Sequence, residues 1–171
     1  FSNGLRGNGE IDGEAESSLG ELPDACGGDV KEEWATRDAC GNSITASRIV
    51  HIAPATAPIF EIVSDTTVNS GDATTHTIYY TNGLSGACKI SGTATSTLGA
   101  IPGACGGDVT ETWNAIDACG NEISASRIIH VKSANAPEFD AVADINVACG
   151  GATTHVLHYS NGQTGGSEIS G

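Results

Sequence analysis

An internal repeat is the feature of this sequence that most constrains its fold. Shifted by 79 residues, the chain aligns with itself without a gap, and about half of the aligned positions carry the same residue. The longest matches are Pro23–Val30 with Pro102–Val109 and Asp38–Asn42 with Asp117–Asn121. A unit of this length is too long for a solenoid repeat and is typical of a β-sandwich domain with its own core. The sequence therefore predicts tandem sandwich domains.

Two proline-containing segments divide the chain into copies of the repeat. Residues Ile52–Pro58 carry small side chains and two prolines without charge, and Val131–Pro137 occupy the equivalent place. We expect linkers there. This predicts a first, partial copy at 1–57, a complete immunoglobulin-like second copy at 58–136, and the opening part of a third copy at 137–171. Either the chain belongs to a longer fibre, or neighbouring chains complete one another's partial copies by strand exchange.

Apolar and polar residues alternate along most of the complete copy, which predicts β-strands. Asp108–Asp117 places Val109, Trp113 and Ala115 on one face. Strands are also predicted at residues 60–69, 74–81, 89–101 (as one or two) and 122–132, the last with one side formed by Ile123, Ala125, Arg127, Ile129 and Val131. Asn82-Gly83 predicts a type I′ hairpin turn. No window carries a clean helical period, so the predicted class is all-β.

The charge balance excludes two classes of partner. The chain has 7 Lys and Arg against 21 Asp and Glu, for a net charge of −14. So few basic residues cannot build the basic face that nucleic acid requires, nor attract an anionic membrane. No apolar run approaches the length of a membrane-spanning helix. We expect no nucleic acid partner, no membrane insertion, and an acidic surface that keeps the protein soluble.

The chain has six cysteines without a Cys-x-x-Cys pair, which favours disulfides in an oxidising compartment over a zinc ribbon or a redox motif. The cysteines fall into four positions of the repeat, which we call slots. Slot one holds Ser70 and Cys149; slot two holds Gly9, Cys88 and Ser167; slot three holds Cys26 and Cys105; slot four holds Cys40 and Cys119. All six cysteines are disulfide candidates.

Strand lengths limit the pairing of these slots. A predicted strand of about ten residues separates slots three and four of one copy and spans roughly 33 Å, whereas bridged Cα atoms lie within about 7 Å. In an immunoglobulin-like sandwich, slots two and four follow strands that run in the same direction in facing sheets. We therefore predict a Cys88–Cys119 bridge, with Cys105 left beside Ser70 and Cys149 paired outside this chain.

Four motifs together resemble the hyalin-repeat-like (HYR-like) domains with four cysteines. These motifs are Cys-Gly-Gly at Cys105–Gly107, Thr-x-Thr-Trp at Thr110–Trp113, Asp-Ala-Cys-Gly-Asn at Asp117–Asn121 and Ile-x-Ala-Ser-Arg at Ile123–Arg127. Gly9, Ser70 and Ser167 stand where such repeats usually carry Cys. The resemblance implies an immunoglobulin-like fold in long arrays of secreted Bacteroidota proteins, exported by the type IX pathway and held at the cell surface.

Other patterns give weaker signals. The five histidines lack convergent ligand spacing, so structural roles are favoured over metal or catalytic ones. Calcium remains an alternative because acidic residues lie near the predicted turns, although no Asp-x-Asp-x-Asp-Gly loop occurs. Thr66, in Asp65-Thr66-Thr67, resembles the O-glycosylation acceptor pattern of Bacteroidota.

These observations predict a structural function. We expect a repeat segment of an extracellular adhesin or filament that acts as stalk or fibre and contacts neighbouring repeats, identical chains, or surface glycans and other cells. The alternative is a carbohydrate- or protein-binding immunoglobulin-like module. No constellation for catalysis occurs in the sequence, so we do not expect an enzyme.

Overall fold

The computed structural model describes residues 1–151 and 153–171 and is almost entirely β-structure. The strands are β1 (Ser17–Leu19), β2 (Gly28–Arg37), β3 (Ser43–Ile52), β4 (Ile59–Phe60), β5 (Thr66–Val68), β6 (Thr77–Thr81), β7 (Ser91–Thr95), β8 (Thr97–Leu98), β9 (Gly107–Ile116), β10 (Glu122–Val131), β11 (Glu138–Phe139) and β12 (Tyr159–Ser160). Three short 3₁₀ turns lie at Gly7–Gly9, Gly86–Cys88 and Gly165–Ser167. The all-β prediction is confirmed. Within the described ranges, no helix is long and apolar enough to cross a membrane.

The secondary structure follows the sequence period. Strands β2 and β9 begin and end at positions 79 residues apart, as do β3 and β10. The three 3₁₀ turns recur at the same interval. At these positions equivalent residues therefore adopt equivalent local structure, because the same alternation and the same turn residues recur. Residues 12–16 and 145–147, which are equivalent to β7 and β5, form no strand.

The chain forms two compact units. Unit 1 comprises Phe1–Pro58, Thr81–Ser91 and Ile116–Asn121, and unit 2 comprises Ile59–Tyr80, Gly92–Ala115 and Glu122–Gly171. The first segment of unit 1 ends one residue after the predicted boundary at residue 57, but unit 1 also includes two stretches of the second copy. The predicted bounds at 1–57, 58–136 and 137–171 therefore stay a prediction.

Unit 1 contains a three-stranded sheet in the order β1-β2-β3. Both pairings are antiparallel, and β2 pairs with β3 along its whole length, from Gly28 opposite Ile52 to Arg37 opposite Ser43. Val30 and Glu32 are buried on one face of β2, as period-two alternation requires. The sheet thus places an acidic side chain on the same face as an apolar one.

Unit 2 contains a three-stranded and a four-stranded sheet, ordered β4-β6-β7 and β5-β10-β9-β8. The fully buried Trp113 of β9 packs with Phe60 of β4 and with Ile78 and Tyr80 of β6. Full burial of one such side chain contributes about 1.5–3 kcal/mol. Because this cluster joins side chains from both sheets, unit 2 is consistent with a β-sandwich. A second buried cluster joins Val109, Ile129 and Val131.

Two sequence predictions are corrected here. The predicted strand at residues 60–69 is two short strands in different sheets, since β4 neighbours β6 while β5 pairs with β10 in parallel. Asn82-Gly83 does not form a type I′ turn, because that turn needs a positive φ at both residues and every positive φ among the described residues belongs to glycine. Instead, Asn82 Oδ1 accepts from the N–H groups of Leu84 and Ile90, and its Nδ2 donates to the Cys88 carbonyl. The asparagine thereby organises a longer loop between β6 and β7.

Candidate functional site

A disulfide between Cys26 and Cys119 is the feature most directly tied to the repeat organisation. The two Cα atoms are 5.1 Å apart, and the cysteines are separated by 93 residues. Both cysteines belong to unit 1. In the repeat, Cys26 is slot three of the first copy and Cys119 is slot four of the second. The bridge therefore joins successive copies, not two positions of one copy.

The loop that carries Cys26 is fixed by its neighbours in sequence. Asp24 Oδ1 accepts a hydrogen bond from the Cys26 N–H at 2.9 Å. Gly27 has a φ of +73°, and a Cβ there would lie 2.5 Å from the carbonyl oxygen of Ile52. Only glycine fits so close to that backbone. The Ala25 carbonyl then accepts from the Ala55 N–H at 2.8 Å, which fastens the loop to the segment after β3.

The turn that carries Cys119 is organised by one buried carboxylate. Asp117 Oδ1 accepts from the N–H groups of Cys119 and Asn121, both at 2.8 Å, and Oδ2 accepts from Asn121 Nδ2 at 2.9 Å. Hydrogen bonding by Asn121 is the main reason that the pKa of Asp117 is lowered from its ordinary value. The ionised carboxylate therefore holds the cysteine in place near neutral pH.

The predicted Cys88–Cys119 bridge is wrong. Cys119 bonds to Cys26, while Cys88 is exposed in the 3₁₀ turn after β6. The prediction failed because it sought partners within one copy, whereas the observed partner comes from the copy before. Cys105 and Cys119 do not bond to each other, as predicted, and the ten-residue strand β9 lies between them. Within the described part of the chain, four cysteines are exposed and unpaired: Cys40, Cys88, Cys105 and Cys149.

A buried polar cluster surrounds Glu111 in unit 2. Glu111 is fully buried; its Oε2 accepts from Arg127 Nε at 2.7 Å, and its Oε1 accepts from Ser96 Oγ and from the His76 N–H. The His76 ring nitrogen Nδ1 lies 2.9 Å from the same Oε1. Arg127 also lies over the Trp113 ring, 5.5 Å from its centroid. Every oxygen of the carboxylate thus has polar partners, as burial of a charge requires.

Opposing effects set the pKa of Glu111. Burial is the largest of them and raises the pKa, but hydrogen bonds from Ser96, His76 and Arg127 together outweigh it, so the pKa is lowered. Glu32 of the first copy has the equivalent partner in Arg48, and its pKa is lowered first by a hydrogen bond from Ser17. The cluster is a repeated element of the fold.

This cluster was not among the predicted sites, although the sequence contains a signal for it. Glu111 stands between Val109 and Trp113 at period two, on the face that was predicted to be buried. Arg127 was correctly placed on one side of β10 with apolar residues. An acid and a base on the inward faces of strands that share a sheet indicate a buried ion pair.

The other candidate residues lie apart from these features. His51 and His130 each place Nδ1 beside a carboxylate, that of Asp29 at 2.6 Å and that of Asp108 at 2.7 Å. No group of three or more His, Cys, Asp or Glu side chains that could hold a metal ion occurs among residues 1–151 and 153–171. Thr66 is half-buried in β5. O-glycosylation at Thr66 stays a prediction, and so does calcium binding near the turns.

An open cavity of about 340 Å³ lies in unit 1. Its lining includes Trp34, Phe1 and Ile44. Trp34 is half-buried, unlike its fully buried equivalent Trp113.

Comparisons with family models, curated proteins and solved structures found no match to this chain.

Proposed function

We propose that this chain is a structural repeat segment of a secreted bacterial adhesin or extracellular filament, in which HYR-like, immunoglobulin-like domains in series form a stalk or fibre. The observation that carries the proposal is the Cys26–Cys119 disulfide, because it joins successive copies of the repeat covalently. Such a bond resists the separation of successive copies under tension, which supports a role in a fibre.

The mechanical effect of the bridge follows from its position. It closes a loop of 93 residues, and an extended chain spans roughly 3.3 Å per residue. Tension applied beyond Cys26 and Cys119 passes through the sulfur bond, so about 300 Å of chain is kept from extending. The enclosed residues include most of the second copy and the buried cluster around Trp113. The proposed role is therefore mechanical and not catalytic.

The compartment is part of the proposal. A disulfide is compatible with an extracellular location, since such bonds persist in oxidising environments. The net charge of −14 supports a soluble surface that repels copies of itself except at specific contacts. We extend the proposal to export by the type IX pathway and attachment at the cell surface. Its partners are neighbouring repeats or identical chains, with surface glycans or other cells at the adhesive end.

Electron microscopy of the native protein, with and without reductant, tests this function. We expect beads in series at one-domain spacing, in fibres that bend more after reduction because the copies lose their covalent link. A native protein that occurs only as separate globular particles, unchanged by reductant, contradicts the proposal.

A second candidate function is a carbohydrate- or protein-binding module. The observation that favours it is the cavity beside Trp34 and Phe1, since sugar rings stack on aromatic side chains. Glycan-array binding by the chain, lost in Trp34→Ala but retained in Trp113→Phe, supports this alternative. Absence of binding to glycans and to surface proteins supports the structural role.

A further inference from the structure

The structure shows two relationships between cysteine slots, and both connect one copy to the next. Slot three of the first copy bonds to slot four of the second, as Cys26–Cys119. Slot one of the second copy touches slot two of the third, as Ser70 and Ser167, whose Oγ atoms are 2.9 Å apart across 97 residues. Ser167 is buried and Ser70 half-buried. The serines thus stand in contact where other copies carry cysteine.

We propose that Cys40, Cys88, Cys105 and Cys149 are cross-linking sites, each of which forms a disulfide with the complementary slot of a neighbouring repeat. Up to two bridges then link each pair of successive copies. This inference rests on the proposed fibre, but its tests concern slot pairing and not fibre formation.

Each unpaired cysteine has a defined partner under the two observed relationships. Cys105 requires slot four of the following copy, and Cys149 requires slot two of the following copy. Cys40 requires slot three of the preceding copy, and Cys88 requires slot one of the preceding copy. None of these partner positions falls within residues 1–171, and all four thiols are exposed and unpaired in the described part of the chain.

The residues at slot pairs that lie wholly within the chain support this assignment. Cys26 and Cys119 are both cysteine, and Ser70 and Ser167 are both serine. No such pair combines a cysteine with a non-cysteine. At a single slot the residue type varies between copies, both in the two copies of slot one and in the three copies of slot two. The residue type therefore matches between paired slots of successive copies and not between equivalent positions of the repeat.

A second copy of this chain, displaced by two repeats, supplies the required thiols, provided that its residues 1–13 replace the equivalent residues 159–171 of the first copy or are displaced by them. Its Cys40 then takes the place of slot four for Cys105, and its Cys88 takes the place of slot two for Cys149. Further repeats of one longer polypeptide supply the same chemistry, a thiol at the complementary slot. Each bridge forms by exchange with a small-molecule disulfide such as oxidised glutathione: two S–H bonds break, one S–S bond forms, and two electrons and two protons reduce the oxidant to two thiols.

The first test makes the serine pair into cysteines. The wild-type chain, refolded at high dilution in a mixture of reduced and oxidised glutathione, is expected to retain four free thiols. Ser70→Cys alone and Ser167→Cys alone are each expected to retain five. The double variant S70C/S167C is expected to return to four, with one linked peptide that contains both new cysteines. A double variant that retains six thiols overturns the proposed second bridge.

The second test identifies the source of the partner thiols. The wild-type chain is oxidised at high concentration and its linked peptides are mapped by mass spectrometry. Covalent oligomers with Cys105–Cys40 and Cys149–Cys88 links support a second copy as the source. Monomers with four thiols, together with a bridged S70C/S167C variant, assign the source to further repeats of one polypeptide. Links between other combinations, such as Cys40 with Cys88, overturn the proposal.

Discussion

The turns Asp38–Asn42 and Asp117–Asn121 have the same sequence and the same internal hydrogen bonds. In each, the aspartate accepts from two backbone N–H groups and from the asparagine side chain, at 2.8–2.9 Å. Yet Cys119 is half-buried and bonded to Cys26, whereas Cys40 is exposed and unpaired in the described part of the chain. The local sequence therefore determines the conformation of the turn and the position of its cysteine. Whether that cysteine forms a disulfide depends on a cysteine of the neighbouring copy.

The acidic clusters show the same contrast. Glu111 is fully buried and its partner Arg127 is 16% exposed, but the side chain of Arg48, the partner of Glu32, is 65% exposed. Both arginines lie over the equivalent tryptophan, at 5.3 and 5.5 Å. The contacts are equivalent and their surroundings are not. Matched substitutions in the two copies therefore measure how much the different burial of the two ion pairs contributes to the free energy of unfolding.

Substitution of the cysteine in each turn should give the largest difference in stability, because only Cys119 forms a disulfide. Cys119→Ser removes a crosslink that closes a loop of 93 residues, which should lower the free energy of unfolding by about 4.5 kcal/mol. Cys40→Ser, at the equivalent position, should leave stability within about 0.5 kcal/mol of the wild type. Urea unfolding without reductant measures both. Equal losses in the two variants would show that the bridge does not stabilise the fold.

Substitution of the buried acid gives the next largest effect. Glu111→Ala leaves the mostly buried charge of Arg127 without its partner, which should cost about 3 kcal/mol in the free energy of unfolding. Glu32→Ala should cost less, because the exposed Arg48 is solvated by water. Urea unfolding followed by tryptophan fluorescence measures both. An equal or larger loss in Glu32→Ala would contradict the role assigned to burial.

Alanine substitutions at two glycines distinguish the energetic cost of backbone strain from the cost of a steric clash. Gly27→Ala places a Cβ 2.5 Å from the Ile52 carbonyl oxygen at a φ of +73°, whereas Gly41, at +88°, has nothing within 4 Å. Gly41→Ala should cost about 1 kcal/mol for its backbone conformation alone. Gly27→Ala should cost about 1–3 kcal/mol more, because the Ile52 backbone must shift. Thermal unfolding and thiol counting together measure the loss and any failure of the Cys26 bond.

The sequence predicted the long strands and the core of the second copy, but it missed the break within residues 60–69, the loop at Asn82-Gly83 and the bond between copies. Period-two alternation correctly placed Val109 and Trp113 in the core, because a strand exposes alternate side chains to opposite faces. The partner of Cys119 was not predictable in that way, since a contact across 93 residues depends on tertiary structure that local patterns do not encode. Glu111 could have been predicted, because its inward position was readable beside Trp113.

Acidification should produce the smallest and most gradual effect. The pKa values of Asp117 and Glu111 are lowered from the ordinary values of 3.8 and 4.5. A group with a lowered folded-state pKa stabilises the fold fully above its unfolded-state pKa and loses that contribution as pH falls through the folded-state pKa. The Tm should therefore change little between about pH 7 and pH 5 and should fall below about pH 4.

The variant Asp117→Asn distinguishes the contribution of this turn to the pH dependence of the Tm from that of the other carboxylates. Asp117→Asn should have a lower Tm than the wild type at pH 7, because a neutral amide accepts the backbone hydrogen bonds less strongly than a carboxylate. Its Tm should also fall less steeply below about pH 4, since one linked protonation is gone. Asp38→Asn is the matched control at the exposed turn. If the two variants have the same pH dependence, the carboxylates stabilise each turn locally and the bond between copies adds nothing to that stabilisation.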